Sequence, residues 1–94
     1  DDKFVSTNVL GMIGNCYANM DQTTEAMATF EKAAQKADND LFSPFYLKKA
    51  ATIAEATGNY DKALALYNQI KNNYATSTVA RDIDKYIERA QAKK

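Results

Sequence analysis

Histidine is absent from this 94-residue chain, which removes every catalytic triad built on an imidazole base and most familiar zinc sites. Cysteine occurs once, at Cys16. No intramolecular disulfide can form, and cysteine usage says nothing about compartment. One proline and three glycines leave few places for β-turns, and no hairpin dipeptide stands between alternating residues. An all-α chain follows. No run of eighteen apolar residues and no signal-peptide pattern occurs, so no direct membrane contact is expected from this segment. Charge of one sign is lacking too: twelve basic residues cancel twelve acidic ones. No net field draws phosphate backbones, and nucleic acid is not expected as a partner. No metal or cofactor is expected.

What is present suffices for one small domain over residues 1–94. Apolar residues make up 46% and aromatics 11%, enough to fold around a single core of modest stability. The chain opens on Asp1-Asp2-Lys3 rather than Met, and is read as the C-terminal part of a longer protein.

Its organising stretch is 58–64. Gly58 closes one helix in the left-handed conformation, Asn59 caps the next, and Tyr60, Ala63, Leu64, Tyr67 and Ile70 form one helical face. Around that turn the spacing predicts five helices. The first starts near residue 3 or 6 and ends at 20, carrying Leu10, Ile13, Gly14 and Tyr17 on one stripe. Gly11 and Gly14 cost it helical propensity and are expected to admit a neighbouring helix. The second, with Asp21 as N-cap, reaches about 37 with Ala26, Phe30, Ala33 and Ala37 inward. The third runs over 44–57, entered through Ser43 as N-cap and Pro44, with Leu47, Ala50, Ala51 and Ala54 inward. The fourth spans 60–73. The fifth starts near Ser77 with Val79, Ile83, Tyr86, Ile87 and Ala90 on one stripe. Pairs at i,i+3 (Arg81 with Asp84, Asp82 with Lys85, Lys85 with Glu88) are expected to support it.

Ala26, Phe30 and Ala33 superpose on Ala63, Tyr67 and Ile70 at an offset of 37 residues, an internal repeat of two helical hairpins. Leu10, Ile13-Gly14-Asn15-Cys16-Tyr17, Ala26, Phe30 and Ala33 resemble the tetratricopeptide repeat signature, and 58–64 resembles its inter-helix turn. The resemblance implies a right-handed α-α superhelix: repeat 1 over about 7–40, repeat 2 over about 44–74, and a capping helix over about 77–92. Departures are visible. The offset exceeds the usual period of about 34, and the extra residues are placed in 39–43. Asp21 replaces the turn glycine of the first repeat, Ala51 and Ala54 replace the signature glycine and tyrosine of the second, and Pro44 comes late.

The resemblance further implies a non-catalytic scaffold that binds a protein or peptide on the surface formed by the first helix of each hairpin. Asn8, Asn15 and Asn19, then Lys48, Thr52 and Glu55, are the partner-binding candidates there. Asn15 with Lys48 resembles part of the carboxylate clamp of some members, although the rest of the clamp is missing. Cys16 stands where the family has alanine and is expected to be a small buried side chain. Tyr17, Tyr60, Tyr67 and Tyr86 lie on core stripes, which leaves Tyr46 and Tyr74 for a partner. The acidic pairs Asp38/Asp40 and Asp82/Asp84 fall in a loop and on a polar helix face, unsuited to acid–base catalysis. The other function weighed is a regulatory, substrate-presenting or self-assembly domain appended to a larger protein. By resemblance the relatives are bacterial envelope proteins, so a periplasmic setting is expected, with a cytoplasmic one as the alternative. A weak homodimer through Phe4, Val5, Val9 and Met12 of the first helix is also expected.

Overall fold

The computed structural model describes residues 2–94, with side chains from Thr7 onward. Five α-helices follow one another: α1 (Asp2–Asn19), α2 (Thr23–Ala37), α3 (Phe42–Ala56), α4 (Tyr60–Asn73) and α5 (Ile83–Lys93), with a 3₁₀ turn (Val79–Asp82) leading into the last. No strand occurs among the described residues. α1 packs on α2, α2 on α3, α3 on α4 and α4 on α5, an all-α superhelix of helical hairpins drawn out into a slab of 41 × 32 × 15 Å.

The two hairpin turns are the same turn. In the second, Gly58 takes φ 80°, Asn59 N–H donates to Ala54 O at 2.8 Å and Gly58 N–H to Glu55 O at 3.1 Å. In the first, Asp21 takes φ 59°, Gln22 N–H donates to Tyr17 O at 2.9 Å and Asp21 N–H to Ala18 O at 3.1 Å. These bonds satisfy carbonyls that the ending helix leaves orphaned. Asp21 is therefore the left-handed turn residue and not the N-cap that the sequence suggests; Gln22 holds the N-cap position with no side-chain bond. Asn59 does cap α4, its Oδ1 accepting from Lys62 N–H at 3.3 Å.

Between the hairpins, Leu41 and not Ser43 holds the N-cap position of α3, with no side-chain bond of its own; Asn39 Oδ1, just upstream, accepts from Leu41 and Phe42 N–H at 3.0 and 2.8 Å. Helix α3 thus begins two residues before Pro44, which is tolerated because first-turn N–H groups have no intrahelical partner. Ser43 is buried, donating to Ala34 O at 2.7 Å and accepting from Asn39 N–H at 3.0 Å. It ties the start of α3 to the end of α2.

Small side chains set the helix spacing. Ala26, Ala33, Ala50, Ala51, Ala54, Ala63 and Ala90 are fully buried among Phe30, Leu47, Tyr67, Ile70 and Ile83. A Cβ at Gly14 would stand 2.6 Å from the Phe30 ring, and one at Gly11 would fall on Tyr46. Hydrogen there is what lets α1 approach.

Several residues expected in the core lie elsewhere. Ile13 is 40% exposed: Gly14 faces α2, and Ile13, about 100° round the helix, points away from it. Leu10, Tyr17, Tyr60 and Ile87 are half-buried, and Gly58 is exposed, so its role is the turn conformation alone. Cys16 is exposed rather than buried. Tyr46 is not free: its ring stacks on Phe30 at 6.1 Å. The i,i+3 pairs expected along α5 do not close among the described residues; Asp84 instead meets Lys71 of α4 at 2.8 Å.

Candidate interaction groove

A groove of ≈ 490 Å³ opens on the side formed by α1 and α3, the first helix of each hairpin. Asn15 and Ala18 of α1 form one wall, and Val79 of the 3₁₀ turn closes the far end. Phe30 reaches through from α2 as the floor, with Phe45 and Ile53 beside it; Lys48, Lys49 and Thr52 line the α3 wall. Phe45 is 46% exposed, an aromatic surface that core packing does not consume.

Lys49 is the cation that meets α1. Its Nζ donates to Asn15 Oδ1 at 3.5 Å and lies 5.5 and 5.3 Å from the Phe30 and Phe45 ring centroids, within the range of cation–π attraction. The sequence paired Asn15 with Lys48, but consecutive helix residues diverge by about 100°. Lys48 lines the same groove and leans toward α5, its Nζ 3.4 Å from Tyr86 Oη and 4.4 Å from that ring's centroid. Thr52 is exposed, with its hydroxyl donating to Lys48 O at 2.8 Å. Asn8 and Asn19 are exposed on α1 and do not line the groove.

Glu55, expected on the partner-binding surface, is not on it. It is only 7% exposed because α5 packs over it: Arg89 Nε and Nη2 donate to its two oxygens at 2.7 and 2.8 Å. Tyr67 Oη of α4 donates at 2.9 Å, and Lys93 Nζ lies 3.5 Å away. The Arg89 hydrogen bonds, with help from Tyr67 and against the cost of burial, hold the Glu55 carboxyl down at about 2. Burial, then the Glu55 carboxylate, pushes the Tyr67 phenol up to about 12, and Glu55 keeps Arg89 more firmly protonated than usual. Glu55 joins α3, α4 and α5, and offers a partner nothing.

Sequence reasoning missed Phe45, Lys49, Ile53 and Val79. Phe45 and Lys49, four apart and off the Leu47–Ala50–Ala54 stripe, carried a readable signal: an aromatic and a cation on one outward face. Tyr74, left free by the sequence reading, is half-buried and borders a smaller hollow with Leu47 and Gln69, away from the groove. Chemically the groove offers an aromatic floor, two ammonium groups and an amide. That set suits an apolar side chain beside a carbonyl or carboxylate. Among the described residues no three His, Cys, Asp or Glu side chains gather as a metal site would need.

Antiparallel helix pairs repeating at a fixed offset, with a groove along their first helices, define a helical-repeat domain. The chain belongs to the tetratricopeptide repeat family: one tetratricopeptide repeat model matches residues 7–37 and a second matches residues 46–77. Repeats of this family generally mediate protein–protein interaction. Comparison with curated proteins and with solved structures finds no match.

Proposed function

We propose that this chain is a non-catalytic scaffold that holds an extended peptide in the groove between α1 and α3. The observation that carries the reading is the placement of Lys49 over Phe30 and Phe45, with Asn15 facing it from α1. An apolar peptide side chain would rest on the aromatic floor while an acidic side chain or terminal carboxylate meets Lys49 and Lys48. Charge-assisted bonds of this kind are about twice as strong as neutral ones. The periplasmic setting rests on the family resemblance alone, and fractionation of cells expressing the protein tests it.

The groove is tested by selecting from a random peptide library on the immobilised chain and measuring the enriched peptides by calorimetry. Apolar–acidic sequences are expected to be enriched. Lys49→Ala should weaken them about tenfold, the loss of one charge-assisted contact of about 1.4 kcal/mol. Equal affinity for the wild type and a Lys48→Ala/Lys49→Ala double variant would overturn the assignment.

A further inference from the structure

We infer that a second copy of this chain covers the outer face of α1, with α1 packed against its own counterpart about a two-fold axis. Val9, Met12, Ile13 and Met20 are 44%, 67%, 40% and 57% exposed. With Cys16 among them they line an apolar groove of ≈ 400 Å³. Steps of three and four residues set them along one side of the helix, the spacing of a helix–helix seam. Phe4 and Val5, also expected on this seam, lie outside the residues whose side chains are described.

The same face is a packing face elsewhere in the chain. One repeat on from Val9 and Ile13 stand Tyr46, stacked on Phe30 of α2, and Ala50, fully buried. In α3 a neighbouring helix covers what α1 leaves open.

Charge decides the occupant. Between Phe4 and Met20 there is no Asp, Glu, Lys or Arg, in a chain with twelve acidic and twelve basic residues. A two-fold contact sets a surface against its own copy, so a charged face repels itself and an uncharged one does not. Head-to-tail stacking would instead bring α1 against α5, where Lys85 and Glu88 are exposed and would lose water against an uncharged helix that offers them no counter-charge, at high cost. A single helix–helix seam with four or five apolar side chains a copy must offset the cost of association, and a weak dimer is expected, with Kd on the order of 100 µM. Asn15 and Lys49 are on another face, and each copy keeps its groove open.

Sedimentation of the 94-residue chain from 10 µM to 1 mM tests this, the concentrations being chosen about that Kd. The mean mass is expected to rise toward that of a dimer, and a short bis-maleimide should link the copies through Cys16. Met12→Glu should abolish both while the helical dichroism is unchanged, since Met12 is largely exposed; Val9→Glu serves the same purpose should Met12→Glu disturb the fold. A monomer throughout the range overturns the proposal, as does a dimer that persists in both folded variants.

Discussion

Asp21 and Gly58 occupy the same left-handed turn one repeat apart, at φ 59° and 80°, and only one of them is glycine. An L-residue in that region is strained by roughly 1–2 kcal/mol, less for Asp than for most. Asp21→Gly should therefore raise stability by about 0.5–1 kcal/mol, after the entropy that glycine adds to the unfolded chain. Gly58→Ala should lower it by about 1 kcal/mol, although nothing lies within 4 Å of the added Cβ. Denaturant midpoints of the two variants check the opposite signs; a shift in the same direction for both would contradict the shared turn. The sequence showed that Asp21 replaces a turn glycine, yet it pointed to an N-cap, because aspartate suits both places and local pattern does not separate them. Glu55 was illegible for another reason. Along α3 it reads as one more polar residue on an open face; burial comes from Tyr67, 12 residues on, and Arg89, 34 residues on, and only the folded chain brings them together.

At the scale of the element, α5 is the helix whose hold on the rest is most specific. Ile83 and Ala90 are its buried residues, and apolar burial from so few side chains is supplemented by the bonds from Arg89 to Glu55. Arg89→Ala leaves a buried carboxylate with Tyr67 and Lys93 only, and should cost roughly 1.5–3 kcal/mol. The loss should appear first as faster hydrogen exchange in α5. The pH dependence follows from the same contact. Glu55 falls from an ordinary value of 4.5 to about 2 in the folded chain. Its contribution is present in full above the unfolded value and is lost as pH drops through the folded one. Exchange protection of α5 should thus decline between about pH 5 and pH 2, and Arg89→Ala should flatten that decline; an equally steep profile in the variant would place the acid sensitivity elsewhere. Element boundaries were legible where a cap and a stripe agree, as for α4, which runs Tyr60–Asn73. They slipped where the polar side chain that takes the first N–H groups lies upstream of the expected cap, as Asn39 does before α3. The 3₁₀ turn before α5 was hidden because Ser77 supplies the start signal, its Oγ accepting from Ala80 N–H at 3.1 Å, while the α-helix begins only at Ile83.

On the scale of the whole molecule, the main packing runs from each helix to its neighbour in the chain, one continuous apolar cluster threads α2 to α5, and α3 reaches α5 through Glu55 and Arg89, so the interfaces between successive helices support one another. A single hairpin of this size buries too little surface to persist alone, and even two repeats are near the lower limit for such arrays. The α3–α4 interface sits in the middle of the series, and Ala63, fully buried, is part of it. Ala63→Asp sets a carboxylate where neither water nor a partner can reach it, at a cost of several kcal/mol, comparable with the whole stability of a small domain. The damage is expected to spread. Without α4 in place, Tyr67 no longer supports Glu55, α5 loses its seat, and α3 keeps only the contact with α2. Helical dichroism should then fall well below half of the wild-type signal in one transition, with slow-exchanging amides lost from α1 and α2 as well. Peptide binding should vanish with it, because the groove takes its lining from α1, α2, α3 and the 3₁₀ turn together. If the variant instead kept native exchange protection throughout α1 and α2, the first hairpin would be an independent folding unit, and a single hairpin would persist where at least two are expected to be needed.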